Sequence, residues 1–123
     1  MKHKFSFEKL DVWKQAKDLA VDIYKLTEKF PDKEKFGLQG QIRRAVVSVS
    51  SNIAEGSSRF SARSKSNYYQ IAYSSLMEVY SQLHIAQDLN YIKLEERTVT
   101  GIMAVSNLLN SLYKSVQKRD FGG

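Results

Sequence analysis

Between Gly56 and Gly101 the chain contains neither glycine nor proline. A stretch this long without a breaker suits a long helix, whereas sheet folds need turn residues far more often. Within it, Tyr69, Ala72, Leu76, Val79, Leu83 and Ala86 recur at alternating spacings of three and four. That rhythm gives one apolar seam on a helix, as in bundles. Ser61 or Ser64 is placed to cap this helix, which the pattern carries to about Tyr91. A second stripe holds Tyr73, Met77, Tyr80, His84 and Tyr91. Two such faces offer more surface than one intramolecular neighbour covers, which predicts self-association. The alternative is that the tyrosines lie at core edges with their hydroxyls in water.

The same rhythm appears three more times. Val12, Ala16, Leu19, Ile23, Leu26 and Phe30 form the first stripe, with Asp11 or Ser6 as candidate cap and Pro31 as the stop. Leu38, Ile42, Ala45, Val46, Val49 and Ile53 form the second, and Gly56 offers a stop through the left-handed backbone it tolerates. Ile102, Val105, Leu109, Leu112 and Val116 form the last, on a helix from about Glu95 to Lys118. Four amphipathic helices with short links predict an all-α fold, an antiparallel up-down-up-down four-helix bundle. A hairpin of two long helices with disordered ends is the alternative. Length predicts a single domain over residues 1–123. Residues 1–9 and 119–123 read as irregular or frayed, although Phe5 and Phe7 are expected to dock on the bundle.

Formal charge is +6, and it is uneven along the chain. Residues 36–65 carry five basic residues and one acidic, while residues 66–92 carry only Glu78 and Asp88. A basic surface of this kind attracts nucleic acid, although it also simply keeps a protein soluble. There is no cysteine, which excludes disulfides and cysteine-based zinc sites and fits a cytoplasmic setting. No apolar run approaches the length of about 18 residues that a membrane span needs, and the N-terminus lacks a signal-like segment.

No catalytic set stands out. Ser48, Ser50 and Ser51 suit back-bonding to the helix or close helix approach, and no histidine–acid pair accompanies them. A di-iron bundle needs Glu-x-x-His units; the two histidines, His3 and His84, lack them, so neither metal nor cofactor is expected. His84 reads as a partly buried or interface residue, with a pH-sensitive contact as the sharper reading. Asn52 and Glu55 read as fastening a helix end or joining an intersubunit polar network. Glu78 reads as an ion-pair partner for Arg43, Arg44 or Arg59. Arg43, Arg44, Arg59, Arg63 and Lys65 form the candidate phosphate-binding set, with Phe60, Tyr68 and Tyr69 as candidate base-stacking aromatics.

Particular residues also carry a family resemblance. They are Phe30–Pro31, Glu34, Phe36–Gly37–Leu38, Gln41–Ile42–Arg43–Arg44–Ala45, and above all Asn52–Ile53–Ala54–Glu55–Gly56. The pattern resumes at Arg59, Ser61, Tyr69, Ser75–Leu76, Glu78 and Gln82–Leu83. On these residues the chain resembles the four-helix-bundle family of proteins encoded in intervening sequences of bacterial 23S ribosomal RNA genes. That family in turn resembles the accessory proteins of diversity-generating retroelements, which form pentameric barrels and associate with nucleic acid and a reverse transcriptase. The resemblance implies a homopentamer, RNA or DNA as a partner, and a protein partner such as a reverse transcriptase. Asn52, Glu55, Gly56, Glu78, Tyr80 and His84 then become structural or interface residues. Ser74, Tyr80 and Lys65–Ser66–Asn67 depart from the family pattern and lower the negative charge of the third helix, which bears on any intersubunit ion pair. The function expected is therefore a non-enzymatic oligomeric bundle that binds nucleic acid through a basic surface. A protein-binding adaptor is the alternative.

Overall fold

A computed structural model describes residues 2–121, with side chains through Lys118. Its four helices are α1 (Asp11–Leu26), α2 (Leu38–Ser57), α3 (Ala62–Asp88) and α4 (Glu96–Phe121). Short 3-10 turns occupy Ser6–Lys9, Thr27–Lys29 and Asp32–Glu34. Each helix packs on its neighbours in sequence, and α1 also packs on α4, which closes the ring; α2 with α3 is the broadest of these interfaces. The bundle is the up-down-up-down arrangement that the four stripes predict.

The core is made of those stripes. Val12, Ala16, Leu19 and Ile23 meet Ile42, Val46, Val49 and Ile53, and α3 and α4 close it with Ala72, Leu76, Val79, Leu83, Ile102, Val105 and Leu109. Burying an aliphatic side chain of this size contributes roughly 1.5–3 kcal/mol. The second stripe of α3 behaves as core edge: Tyr73, Met77 and Tyr80 are half-buried against the core, and His84 is exposed.

Helix ends differ from expectation in instructive ways. Neither Asp11 nor Ser6 caps α1; Leu10 occupies the cap with no side-chain bond. At the other end, α1 stops at Leu26 rather than continuing to Phe30. Thr27 is buried, and its hydroxyl donates to the Ile23 carbonyl at 2.8 Å, competing with the helical ladder. The tighter turn that follows lets Phe30 swing into the core against Tyr91, centroids 5.3 Å apart. Ser61 caps α3, accepting from the Ser64 amide at 3.1 Å. α3 ends at Asp88, short of Tyr91. Asn90 takes a left-handed φ of 62°, its amide donates to Gln87, and the Tyr91 amide donates to Ala86. This is the Schellman pattern, with asparagine in the place glycine usually takes.

Glu34 fastens the end opposite the chain termini. One carboxylate oxygen accepts from the Leu38 amide at 3.1 Å, and the other accepts from the Tyr91 hydroxyl at 2.9 Å. A Cβ on Gly37 would lie 2.6 Å from that first oxygen, so a side chain there displaces the cap of α2. The Leu38 amide, and next the Tyr91 hydroxyl, hold the Glu34 carboxyl below its ordinary range. The same bond raises the Tyr91 hydroxyl above its own ordinary value. A lowered carboxyl favours the folded chain above its unfolded pKa, and that contribution disappears as pH falls through the folded value. Tyr91 contributes below its unfolded pKa and ceases to as pH rises through its raised one. In urea melts across pH, Glu34→Gln should therefore lose part of the acid limb. Tyr91→Phe should shrink that limb less and remove the alkaline one. Tyr91→Phe abolishing the whole acid contribution would contradict the leading role of the Leu38 amide.

Candidate nucleic-acid interface

Antiparallel packing assembles one end of the bundle from four distant parts of the chain. The Ser6–Lys9 turn, the end of α2, the start of α3 and the last turns of α4 meet where Phe7, Leu10, Ser57, Lys65, Leu112 and Val116 line one cleft. Phe7 docks edge-on to Trp13 at 4.9 Å, as expected for a lead-in aromatic. Phe5 stacks outside Phe7 and is 66% exposed, so only one of the two phenylalanines joins the bundle.

The charge is distributed by the fold, not by the sequence. Residues 2–14, 55–65 and 114–118 share this end; they hold nine Lys/Arg against three Asp/Glu, an excess of six. The intervening residues 15–54 and 66–113 hold nine of each, and Arg119 and Asp120 offset one another. The entire formal +6 therefore belongs to one end of the molecule. Clustered like charge raises the local potential for a polyanion far above what a scattered surface would produce.

The five sequence-selected cations are not one cluster. Arg43 and Arg44 sit in the first half of α2, and Arg59, Arg63 and Lys65 lie past its end. At a rise of about 1.5 Å per helical residue, the two groups stand on the order of 20 Å apart. Arg43 turns to α1: Nε donates to the Thr27 hydroxyl at 3.0 Å, Nη2 donates to the Tyr24 carbonyl at 2.9 Å, and the guanidinium lies 4.5 Å from the Tyr24 ring centroid. It ties α2 to the end of α1. Gln39 adds a bond from Nε2 to the Thr27 carbonyl at 2.7 Å. Thr27 as a buried node was not legible beforehand; only its place on an apolar stripe hinted at it. Arg44 is exposed.

At the basic end, Arg59 is already oriented. Its guanidinium lies 4.6 Å from the Tyr68 ring centroid, bonds the Tyr68 hydroxyl, and pairs with Glu55 at 3.5 Å. Lys65 donates from Nζ to the Ser57 carbonyl at 3.0 Å, a cation on the C-terminus of α2. Arg63 is exposed, with no hydrogen bond or ion pair among the described residues. Of the candidate aromatics, Tyr69 is buried and Tyr68 is covered by Arg59, which leaves Phe60, fully exposed on the α2–α3 turn.

The remaining singled-out residues lie along α2 and α3. Asn52 donates from Nδ2 to the Ser48 carbonyl at 2.8 Å and to the Ser48 hydroxyl at 2.9 Å; that hydroxyl meets Ser75 at 3.0 Å. Asn52 thus joins a polar link between the two helices. Gly56 does not stop α2. It lies inside the helix, buried against Tyr68 and Tyr69. Glu78 is exposed and forms no ion pair among the described residues, because Arg43 faces α1 and Arg59 faces Glu55. Tyr80 packs edge-on to His84 at 4.6 Å. Among the described residues no three His, Cys, Asp or Glu side chains group as a metal site, and no helix is long and apolar enough to cross a membrane.

The family model for the 23S rRNA-intervening sequence protein matches residues 8–114, which takes in all four helices. The chain belongs to this family. A crystal structure of a protein of unknown function from the S23 ribosomal protein family, from Bacteroides thetaiotaomicron, superposes with a TM-score of 0.76 at 26% identity. The alignment covers 84% of this chain and 95% of that one. A comparison with curated proteins found no match. Family membership assigns a physical task to the NIAEG signature: Asn52 links α2 to α3, Ile53 is core, Glu55 pairs with Arg59, and Gly56 admits the Tyr69 ring.

Proposed function

We propose that this intervening-sequence protein is a non-enzymatic, self-associating bundle that binds RNA or DNA through its basic end. The observation that carries the reading is the placement of the whole excess of six positive charges at that end. Phosphate contacts release counterions, so affinity falls steeply with salt. With about four phosphates engaged on a duplex, a fourfold rise in salt lowers affinity roughly 10²-fold. The test is a nucleic-acid titration across salt, with oligomeric mass measured on the same sample. Absence of binding at low salt would sink the reading.

A second reading, a protein-binding adaptor or assembly subunit, is favoured by a different surface. Ile71 and Ile85 are each 48% exposed and flank Glu78 on the outer face of α3. Gln82 keeps a buried side-chain oxygen without a partner, although its Nε2 donates to Gln41. Both features suit a face completed by another chain. The resemblance to the retroelement accessory proteins supports a homopentamer as the self-association and a reverse transcriptase as a protein partner. A partner whose affinity survives nucleic-acid competition would select this reading.

A further inference from the structure

We infer that the basic end takes single-stranded rather than duplex nucleic acid, with an unpaired base stacked on Phe60; this rests on the nucleic-acid reading above. Phe60 is 104% exposed, more open than any other large apolar side chain described. It stands on a short turn fixed from both sides. The Ser58 and Arg59 amides donate back into α2, Ser61 caps α3, and the Lys65 amide donates to the Ser61 carbonyl. The ring is therefore presented on a braced support rather than on a loose loop.

Beside it, Phe7, Ala54, Glu55, Ser58 and Arg59 line an open cleft of about 550 Å³. A carboxylate inside a cationic end disfavours a phosphate there, yet accepts hydrogen bonds from base amino groups. The aromatic ring offers a stacking face that any base can use. Arg63 stands outside the cleft, exposed and within the same cationic end, where a sugar–phosphate strand would run. An acceptor and a ring inside, with cations around them, fit a base entering and its backbone staying out. Bases already paired and stacked in a duplex cannot make that contact.

Anisotropy titrations should compare a single-stranded oligonucleotide with the duplex of equal length, at low salt and with the intact protein. Wild type should prefer the single strand. Phe60→Ala should weaken single-strand binding about tenfold and leave duplex affinity and thermal stability unchanged; Phe60→Trp should restore the preference. No loss, or an equal loss on both probes, overturns the inference while the basic-end reading stands. A change of oligomeric mass with unaltered single-strand affinity assigns Phe60 to a protein contact and overturns it as well. A wild type that binds neither probe overturns both readings.

Discussion

Gly56→Ala should destabilise the bundle by roughly 1–3 kcal/mol, the range of an overpacked core. The sign is not the default one. Within a helix, alanine is favoured over glycine by about 1 kcal/mol. Here the added Cβ would stand 2.7 Å and 2.9 Å from two ring carbons of Tyr69 and 3.0 Å from the Cβ of Tyr68. Tyr69 has nowhere to go: it is 3% exposed, and its hydroxyl is 2.9 Å from the Ser57 hydroxyl. The Tyr68 Cβ moves only with the α3 backbone. So α2 and α3 must separate, or Tyr69 must rotate and break its bond. Gly101→Ala is the matched control. Its Cβ would meet only Leu19, at an ordinary 3.7 Å, so propensity decides and stability should hold or rise by up to about 1 kcal/mol. Urea unfolding midpoints check both. A raised midpoint for Gly56→Ala would refute the close contact as the reason for that glycine.

The contrast between these glycines marks how far periodicity reaches. Helical spacing identified the buried faces of all four helices because burial repeats with the turn of a single helix. Ile42, Val49, Leu76, Leu83 and Leu109 are fully buried on the faces their spacing predicts. Spacing says nothing about what stands opposite. Gly56 resembled a terminator because its neighbour across the interface, Tyr69, lies outside its own segment. Thr27 resembled a stripe-widening residue because the guanidinium that reaches it comes from Arg43, sixteen positions later. The candidate site was legible only in part for the same reason. The sequence displayed the cations of residues 36–65 as one run, whereas a helix spreads them along its axis. It displayed the lysines of the N-terminus and of α4 as unrelated, whereas antiparallel packing brings them beside Arg59 and Arg63.

Arg43→Gln and Arg63→Gln should therefore fail in opposite ways. Arg43 donates twice to the end of α1 and stacks on Tyr24. A glutamine keeps neither the two-pronged reach nor the cation over the ring. Hydrogen bonds from a charged donor contribute about 1.5–3 kcal/mol, so the variant should lose roughly 2 kcal/mol of stability, part of it from the lost ring contact. Its folded fraction should bind nucleic acid as wild type does. Arg63 touches nothing that holds the fold together, and its replacement should leave stability within about 0.5 kcal/mol. Each phosphate contact adds about 0.9 to the slope of log affinity against log salt on duplex, and about 0.7 on a single strand. Arg63→Gln should remove one such step without altering selectivity among base sequences. Denaturant melts and salt-resolved titrations on the same two variants separate the outcomes. Arg43→Gln weakening nucleic-acid binding while leaving the melt untouched would return Arg43 to the interface and move the binding surface off the basic end.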